Sequence, residues 1–153
     1  MPHIHEKIDF TVEVFIVYKN KVLLRKHDKY KLWLSVGGHI ELDEDPNEAA
    51  LREVKEEVGL DIELYSDPKI PTTKDDAHRE LIPPMFMNRH HINATHEHVT
   101  LIYFAKSETN ALMLSKSEKS DECRWFSLND LDSEDITEKI KVYAKSALKI
   151  LSE

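Results

Sequence analysis

The sequence has one cysteine, no long apolar run and no apolar leader, and each absence excludes a class of protein. Cys123 cannot form an internal disulfide, so the chain is not a disulfide scaffold. No run approaches the roughly 20 apolar residues that a membrane-spanning helix needs. The N-terminal stretch MPHIHEKIDF also lacks the apolar core of a signal peptide. We therefore expect a cytoplasmic protein in a reduced compartment, with no membrane partner.

Positive charge is also scarce. The chain has 29 Asp and Glu residues but only 21 Lys and Arg, which gives a formal net charge of −8. This balance argues against broad binding to nucleic acid or to anionic membrane, because an acidic surface repels both. A phosphate-bearing substrate would then need a bound cation or a local basic cluster in order to approach.

The chain of 153 residues is long enough for one sizeable core. It shows no internal repeat and no composition break, so residues 1–153 are predicted to form a single domain. Strands are predicted where β-branched and aromatic residues gather, at 10–18, 22–25, 33–36, 61–65, 99–105 and 123–128. Residues 81–92 stay ambiguous, because Pro83 and Pro84 disfavour a regular central strand.

Glycine is scarce as well, and its three copies, Gly37, Gly38 and Gly59, fall in one region. Because glycine adopts backbone shapes that other residues avoid, unusual backbone requirements are predicted there. Asp45 and Pro46 open a predicted helix with a capping box, and Gly59 ends it. Apolar residues at helical spacing predict a second helix near the C-terminus. Several strands and two separated helices together predict an α/β or α+β sandwich.

Three glutamates lie on one face of the first predicted helix. At about 100° per residue, Glu53, Glu56 and Glu57 share an arc of roughly 100°. The neighbouring arc is apolar and is expected to face the core; its members are Leu51, Val54 and Val58. Like charges at this spacing repel, and a hard divalent cation such as Mg²⁺ would relieve the repulsion. The alternative interpretation is an ordinary solvated acidic surface.

The stretch GHIELDEDPNEAALREVKEEVGL, from Gly38 to Leu60, resembles the signature of the Nudix hydrolase family, which includes MutT-like pyrophosphohydrolases. That signature is Gly, five residues, Glu, seven residues, Arg-Glu, an aliphatic residue, any residue, Glu-Glu, any residue, Gly and an aliphatic residue. Every fixed position is matched, by Gly38, Glu44, Arg52, Glu53, Val54, Glu56, Glu57, Gly59 and Leu60. A chance match is on the order of one in a million or less. The resemblance implies an α/β/α sandwich around a mixed β-sheet.

The resemblance also implies roles for residues of the motif. Mg²⁺, or Mn²⁺ as an alternative, would be bound by Glu53, Glu56, Glu57 and the carbonyl oxygen of Gly37 or Gly38. Arg52 would orient the glutamates through charge-assisted hydrogen bonds, and Glu44 would help to hold the loop or the metal shell. The catalytic base would be Glu53 or a residue outside the motif. Glu97 is our choice for that outside residue, because it lies just before an apolar strand.

The implied reaction is hydrolysis of a diphosphate linkage in a nucleoside diphosphate joined to another group, with a nucleoside triphosphate as the default substrate. Candidate substrate contacts lie outside the motif at Arg25, Tyr30, Phe86 and His98. A homodimer is one option, since pairing is common in the family. One alternative is a catalytically silent nucleotide-binding sensor that keeps the fold. Another is isopentenyl diphosphate isomerase, which needs a reactive cysteine that Cys123 is poorly placed to supply.

Four histidines lie close together in the sequence, at His90, His91, His96 and His98. With Glu97 they could form a zinc site, but their spacing matches no common structural zinc set. Substrate contact or a plain loop is the favoured interpretation. His3 and His5 are interpreted as ordinary terminal residues.

Overall fold

The structure is a computed structural model that describes residues 3–27, 31–66, 70–71, 74–114 and 122–153. Within these ranges the strands are β1 (Ile8–Tyr18), β2 (Lys21–Lys26), β3 (Trp33–Leu34), β4 (Val36–His39), β5 (Ile62–Leu64), β6 (Lys74–Asp75), β7 (His78–Arg79), β8 (Phe86–His91), β9 (Glu97–Ser107) and β10 (Glu122–Phe126). The helices are α1 (Pro46–Val58), α2 (Leu128–Ser133) and α3 (Glu138–Leu151). No helix among the described residues is long and apolar enough to cross a membrane.

The main sheet is mixed, as predicted. Its strand order is β10-β2-β1-β9-β5, with β3 beside β2, β4 beside β1 and β8 beside β9. The central pair, β1 and β9, is parallel, whereas β1 pairs antiparallel with both β2 and β4. Strands β6 and β7 form a separate small hairpin. The parallel pairing brings residues 8–17 beside residues 97–106, which are remote from them in sequence.

Helices cover both faces of this sheet. Alternate side chains of β1 enter different cores, with Phe15 on one face and Val14 on the other. Helix α3 packs against the first core through Ala144, and α1 packs against the second through Val54. The result is the predicted α/β/α sandwich, in which α1 holds one face and α2 and α3 hold the other.

The start and the end of α1 follow the sequence prediction. The Asp45 carboxylate accepts a hydrogen bond from the Glu48 N–H at 2.9 Å, and the Glu48 carboxylate accepts one from the Asp45 N–H at 3.0 Å. Gly59 ends the helix with a left-handed φ of 73°. The prediction for Leu51 was wrong, because 43% of its surface is exposed. The buried face of the helix instead includes Ala50. The helix is therefore rotated so that two of its glutamates, Glu53 and Glu57, are buried as well.

Two other regions refine the sequence prediction. The ambiguous segment 81–92 contains β8, which starts only after the proline pair, at Phe86. Leu128 was predicted to end a strand but begins the short helix α2, because Ser127 caps that helix. Residues 67–69, where a loop around Pro68 was predicted, lie outside the described residues.

Candidate catalytic and metal site

Arg52 on α1 connects the signature carboxylates. Its guanidinium donates to both oxygens of Glu44, at 2.9 and 2.6 Å, and to Glu53 at 2.9 Å. It also donates to Glu56 at 3.2 Å and to the His39 carbonyl at 3.0 Å. The hydrogen bond to Glu44 is the largest cause of the raised pKa of Arg52, which keeps the guanidinium charged. These are the contacts that an arginine makes when it fixes the positions of several carboxylates.

Glu53 lies under the glycine pair of β4. The glutamate is only 5% exposed, and a Cβ added at Gly38 would overlap its carboxylate. A Cβ added at Gly37 would overlap the Val12 carbonyl oxygen instead, because β4 lies directly against β1. Glycine at position 38 therefore lets the Glu53 carboxylate approach the backbone closely, and glycine at position 37 lets the two strands pack.

Glu57 is the second buried carboxylate of α1, with 7% of its surface exposed. It lies one helical turn after Glu53, and Arg25 approaches one of its oxygens at 3.1 Å. Burial is the largest cause of the raised pKa of Glu53, and it outweighs the opposing effect of Arg52. Glu56 is largely exposed on the same side of the helix. The predicted metal ligands thus come together as two buried carboxylates and one exposed carboxylate beside a glycine backbone.

Arg25 does not lie on an open surface. It is only 8% exposed, contacts Glu57 and lines a cavity of about 180 Å³. Gly37, Gly38 and His98 line the same cavity, so with Arg25 four predicted site residues surround one space. Tyr30, the fourth predicted substrate contact, lies outside the described residues.

A larger cavity of about 750 Å³ lies beside the first, and Glu13, Leu34 and His90 line both. Its wall includes Arg89, Lys139 and Tyr143. Phe86, a predicted substrate contact, is half exposed and its ring lies 5.5 Å from that of Tyr143, but Phe86 does not line this cavity. Volumes of roughly 300–1,000 Å³ are typical of small-molecule sites, and the two cavities together offer such a space beside Gly38, which the Glu53 carboxylate approaches.

Glu97 is held in a bidentate ion pair. Arg89 donates to its two oxygens at 2.7 and 2.9 Å, and this pairing lowers the pKa of Glu97 to about 2. A carboxylate with so low a pKa accepts a proton poorly near neutral pH, which argues against Glu97 as the catalytic base. The neighbouring His98 faces the small cavity, and burial lowers its pKa to about 4.

Sequence reasoning missed Glu13, Asp9 and His39. Glu13 on β1 lies opposite Gly37 on β4 and lines both cavities. Burial raises the pKa of Glu13. The signal for it was an acid flanked by Val12 and Val14 in a largely apolar part of the strand, which is unusual without a functional or pairing reason. Asp9 and His39 lie on adjoining strands near His98, and no sequence spacing predicts their contact.

Comparison with known proteins identifies the family. The family model of the NUDIX domain matches residues 9–146 of the chain. The chain belongs to the Nudix family. The resemblance and the fold inferred from the sequence are therefore confirmed, and so is the enzyme class, a hydrolase of phosphorus-containing acid anhydrides. The comparison with curated protein sequences found no match.

Solved structures of other Nudix proteins are similar to this one. A hydrolase of the NUDIX family from Clostridium perfringens is 35% identical, with a TM-score of 0.80 over 94% of this chain and 98% of that one. The E. coli dihydroneopterin triphosphate pyrophosphohydrolase is 15% identical, with a TM-score of 0.66 over 95% of this chain and 99% of that one. The NUDIX domain of Shewanella oneidensis NrtR, complexed with ADP ribose, is 19% identical, with a TM-score of 0.66 over 97% and 91%. At such low identity the last two show a shared fold only.

The Arg52 contacts of this Nudix chain give a first prediction. In Arg52→Lys the charge remains, but an ammonium cannot reproduce the planar guanidinium that binds Glu44, Glu53 and Glu56 together. We expect kcat to fall about 10–100-fold, with little change in KM or in the thermal unfolding midpoint. The matched control is Arg79→Lys, because Arg79 is exposed and pairs with Asp45 away from the buried carboxylates. Equal kcat values for the two variants would contradict an orienting role.

Proposed function

We propose that this Nudix enzyme hydrolyses a diphosphate linkage in a nucleoside diphosphate joined to another group, and that it requires Mg²⁺, with Mn²⁺ as an alternative ion. The observation that carries the proposal is the pair of buried carboxylates, Glu53 and Glu57, beside the backbone of Gly38. The proposed ligands of the ion are Glu53, Glu56, Glu57 and the carbonyl oxygen of Gly37 or Gly38.

The donor set fits a hard divalent cation. Carboxylate and carbonyl oxygens are the ligands that Mg²⁺ prefers. Burial raises the pKa of Glu53, so in the absence of a cation a proton is needed to offset the loss of solvent around its charge. A divalent ion removes that requirement by supplying positive charge at the same place. When bound, it also neutralises phosphate charge and lowers the pKa of a water molecule, which is the chemistry the reaction needs.

The residues of the chain fix the site in advance. Arg52 positions Glu53 and Glu56, while Glu44 occupies the other edge of the guanidinium and keeps it from turning away. Preset carboxylates reduce the ordering that must occur when substrate binds. We assign proton acceptance to Glu53, because the ion pair with Arg89 already engages both oxygens of Glu97.

The substrate is proposed to occupy the two joined cavities. Its diphosphate would lie in the small cavity near Gly38, where Arg25 and His98 form the wall. The rest of the molecule would extend into the larger cavity, toward Tyr143 and Lys139. Tyr143 offers an aromatic surface for a base, and its ring is 5.5 Å from that of Phe86. A nucleoside triphosphate remains the default substrate within this class.

The test is a substrate panel of nucleoside triphosphates, nucleotide sugars and dinucleotides, assayed with Mg²⁺, with Mn²⁺ and with a chelator. We expect a phosphorylated product from at least one member of the panel, and a rate that falls at least about 100-fold when the chelator removes the cation. Undiminished hydrolysis in the chelator would contradict the metal assignment. Tight nucleotide binding by calorimetry without turnover of any member would instead support the silent sensor module.

A further inference from the structure

A second cluster of metal-binding side chains lies outside the signature glutamates. We call it the histidine cluster and define it as His3, Asp9, His39, His96 and His98. The parallel register of β1 and β9 places Asp9 opposite His98, and the pairing of β1 with β4 places His39 close by. The segment before β1 then brings the His3 ring to 3.6 Å from the ring of His96, measured between centroids. Residues from four separate parts of the chain thus meet at one point.

One carboxylate oxygen lies at the centre of this cluster. Asp9 Oδ2 is 3.2 Å from His3 Nδ1, 3.3 Å from His39 Nε2 and 3.4 Å from His96 Nε2. The same oxygen also accepts a hydrogen bond from the Ile4 N–H at 3.0 Å. A carboxylate oxygen has two lone pairs, so it cannot satisfy four nitrogen neighbours by ordinary hydrogen bonds. Among the described residues, the buried Nε2 atoms of His39 and His96 have no hydrogen-bond partner.

The position of the hydrogen on the His96 ring makes the contact between His96 and Asp9 unfavourable without a cation. Its Nδ1 lies 2.9 Å from the Glu6 carbonyl oxygen, which only accepts, so Nδ1 must carry the hydrogen. In the neutral ring Nε2 then bears a lone pair, and that lone pair faces the Asp9 carboxylate. Two acceptors in contact repel each other unless a cation lies between them. A histidine that donates one ring N–H to a backbone carbonyl and turns the other nitrogen inward has the arrangement of a metal ligand.

We propose that the histidine cluster binds one Zn²⁺ ion through Asp9, His3, His96 and His98. One ligand atom from each of these residues lies within 4.8 Å of all the others. Tetrahedral Zn²⁺ with bonds of about 2.0–2.1 Å places its ligand atoms about 3.3–3.4 Å apart. The separations of Asp9 from His3 and His96, 3.2 and 3.4 Å, already match that spacing. Three imidazoles with one carboxylate also suit Zn²⁺ better than Mg²⁺.

The proposed site has a structural role. Four protein ligands leave no open position for substrate or for a reactive water. Asp9 already fixes the preceding residues, because its carboxylate accepts the N–H groups of Ile4 and His5. A bound ion would tie the segment around His3 to β1 and β9 and would hold His98 in the wall of the small cavity. Under this proposal His3, interpreted from the sequence as an ordinary terminal residue, is a metal ligand.

The competing explanation is an ion pair in which one imidazolium neutralises Asp9 without any metal. The two explanations are separated by metal uptake, measured on full-length protein stripped with a chelator and then titrated with Zn²⁺ in excess Mg²⁺. The excess Mg²⁺ keeps the signature carboxylates occupied. We expect one equivalent of Zn²⁺ to bind and to raise the unfolding midpoint. Co²⁺ used as a probe should develop the visible absorption of a tetrahedral site.

Variants assign the uptake to particular residues. His96→Gln and His3→Gln should each weaken Zn²⁺ binding at least about tenfold. His3→Gln guards against misfolding, because its ring is 40% exposed whereas that of His96 is buried. His78→Gln is the matched control, since His78 is exposed and pairs only with Glu80 among the described residues. No uptake by the wild type, or equal uptake by all three variants, would overturn the proposal. So would loss of uptake in Glu53→Gln alone, because the ion would then belong to the carboxylate site.

Discussion

Glu53→Gln is expected to lower kcat by about 100-fold or more on the best substrate of the panel. The amide has the same shape as the carboxylate, and its oxygen can still accept the Arg52 hydrogen bond of 2.9 Å. What disappears is a negatively charged ligand for the cation and the proposed proton acceptor. Because the fold keeps its contacts, the unfolding midpoint should stay near that of the wild type. Steady-state kinetics and thermal unfolding of the same preparations measure both quantities.

Glu48→Gln is the control for this variant. It makes the same chemical change on the same helix, and glutamine can replace glutamate at the third helical position of a capping box. Glu48 is exposed and contacts Asp45 rather than the buried carboxylates. Its kcat should therefore remain within about twofold of the wild type. If both variants lost the same activity, the reaction would not depend on the buried carboxylates and the proposed site would be wrong.

Much of the carboxylate site was predictable because it is local in sequence. The spacing of Arg52, Glu53 and Glu57 along one helix determines which side chains share a face. The helix boundaries were also predictable from the local sequence, because Asp45 caps the start of the helix and Gly59 ends it. The orientation of the helix was not, since Leu51 was expected inside and lies outside. Which apolar residue is buried depends on how the helix packs against the sheet, and in the folded chain Ala50 is buried where Leu51 is not.

The histidine cluster was not predictable, because it depends on contacts between residues far apart in the sequence. His3 and His96 meet only because β1 and β9 pair in parallel, in the register that sets Asp9 opposite His98. Sequence reasoning saw a group of downstream histidines but had no means to select His96 and His98 over their neighbours. The pairing of Arg25 with Glu57 has the same origin, since β2 and α1 meet only in the folded chain. Sequence spacing predicts geometry within one element and fails between elements.

Substitutions at the glycine pair are the second change with a large expected effect. We expect alanine at position 38 to lower activity and alanine at position 37 to lower stability. In Gly38→Ala the added Cβ meets the carboxylate end of Glu53, which is the movable tip of a side chain. The fold should absorb this by turning Glu53 aside, at a cost in unfolding free energy below about 1 kcal/mol. The displaced carboxylate should nevertheless lower kcat by about 100-fold, since a shift of about 1 Å at a reacting centre costs that much.

In Gly37→Ala the added Cβ meets the Val12 carbonyl oxygen, which belongs to the backbone of the central strand. Backbone cannot turn aside, so β4 must separate from β1, and we expect a loss of about 1–3 kcal/mol in unfolding free energy. Chemical denaturation compares this variant with Gly38→Ala, and kinetics well below both unfolding midpoints compare their activities. A stable but inactive Gly38→Ala beside a destabilised Gly37→Ala is the expected pattern. The reverse pattern would mean that Glu53 does not lie against Gly38 in the working enzyme.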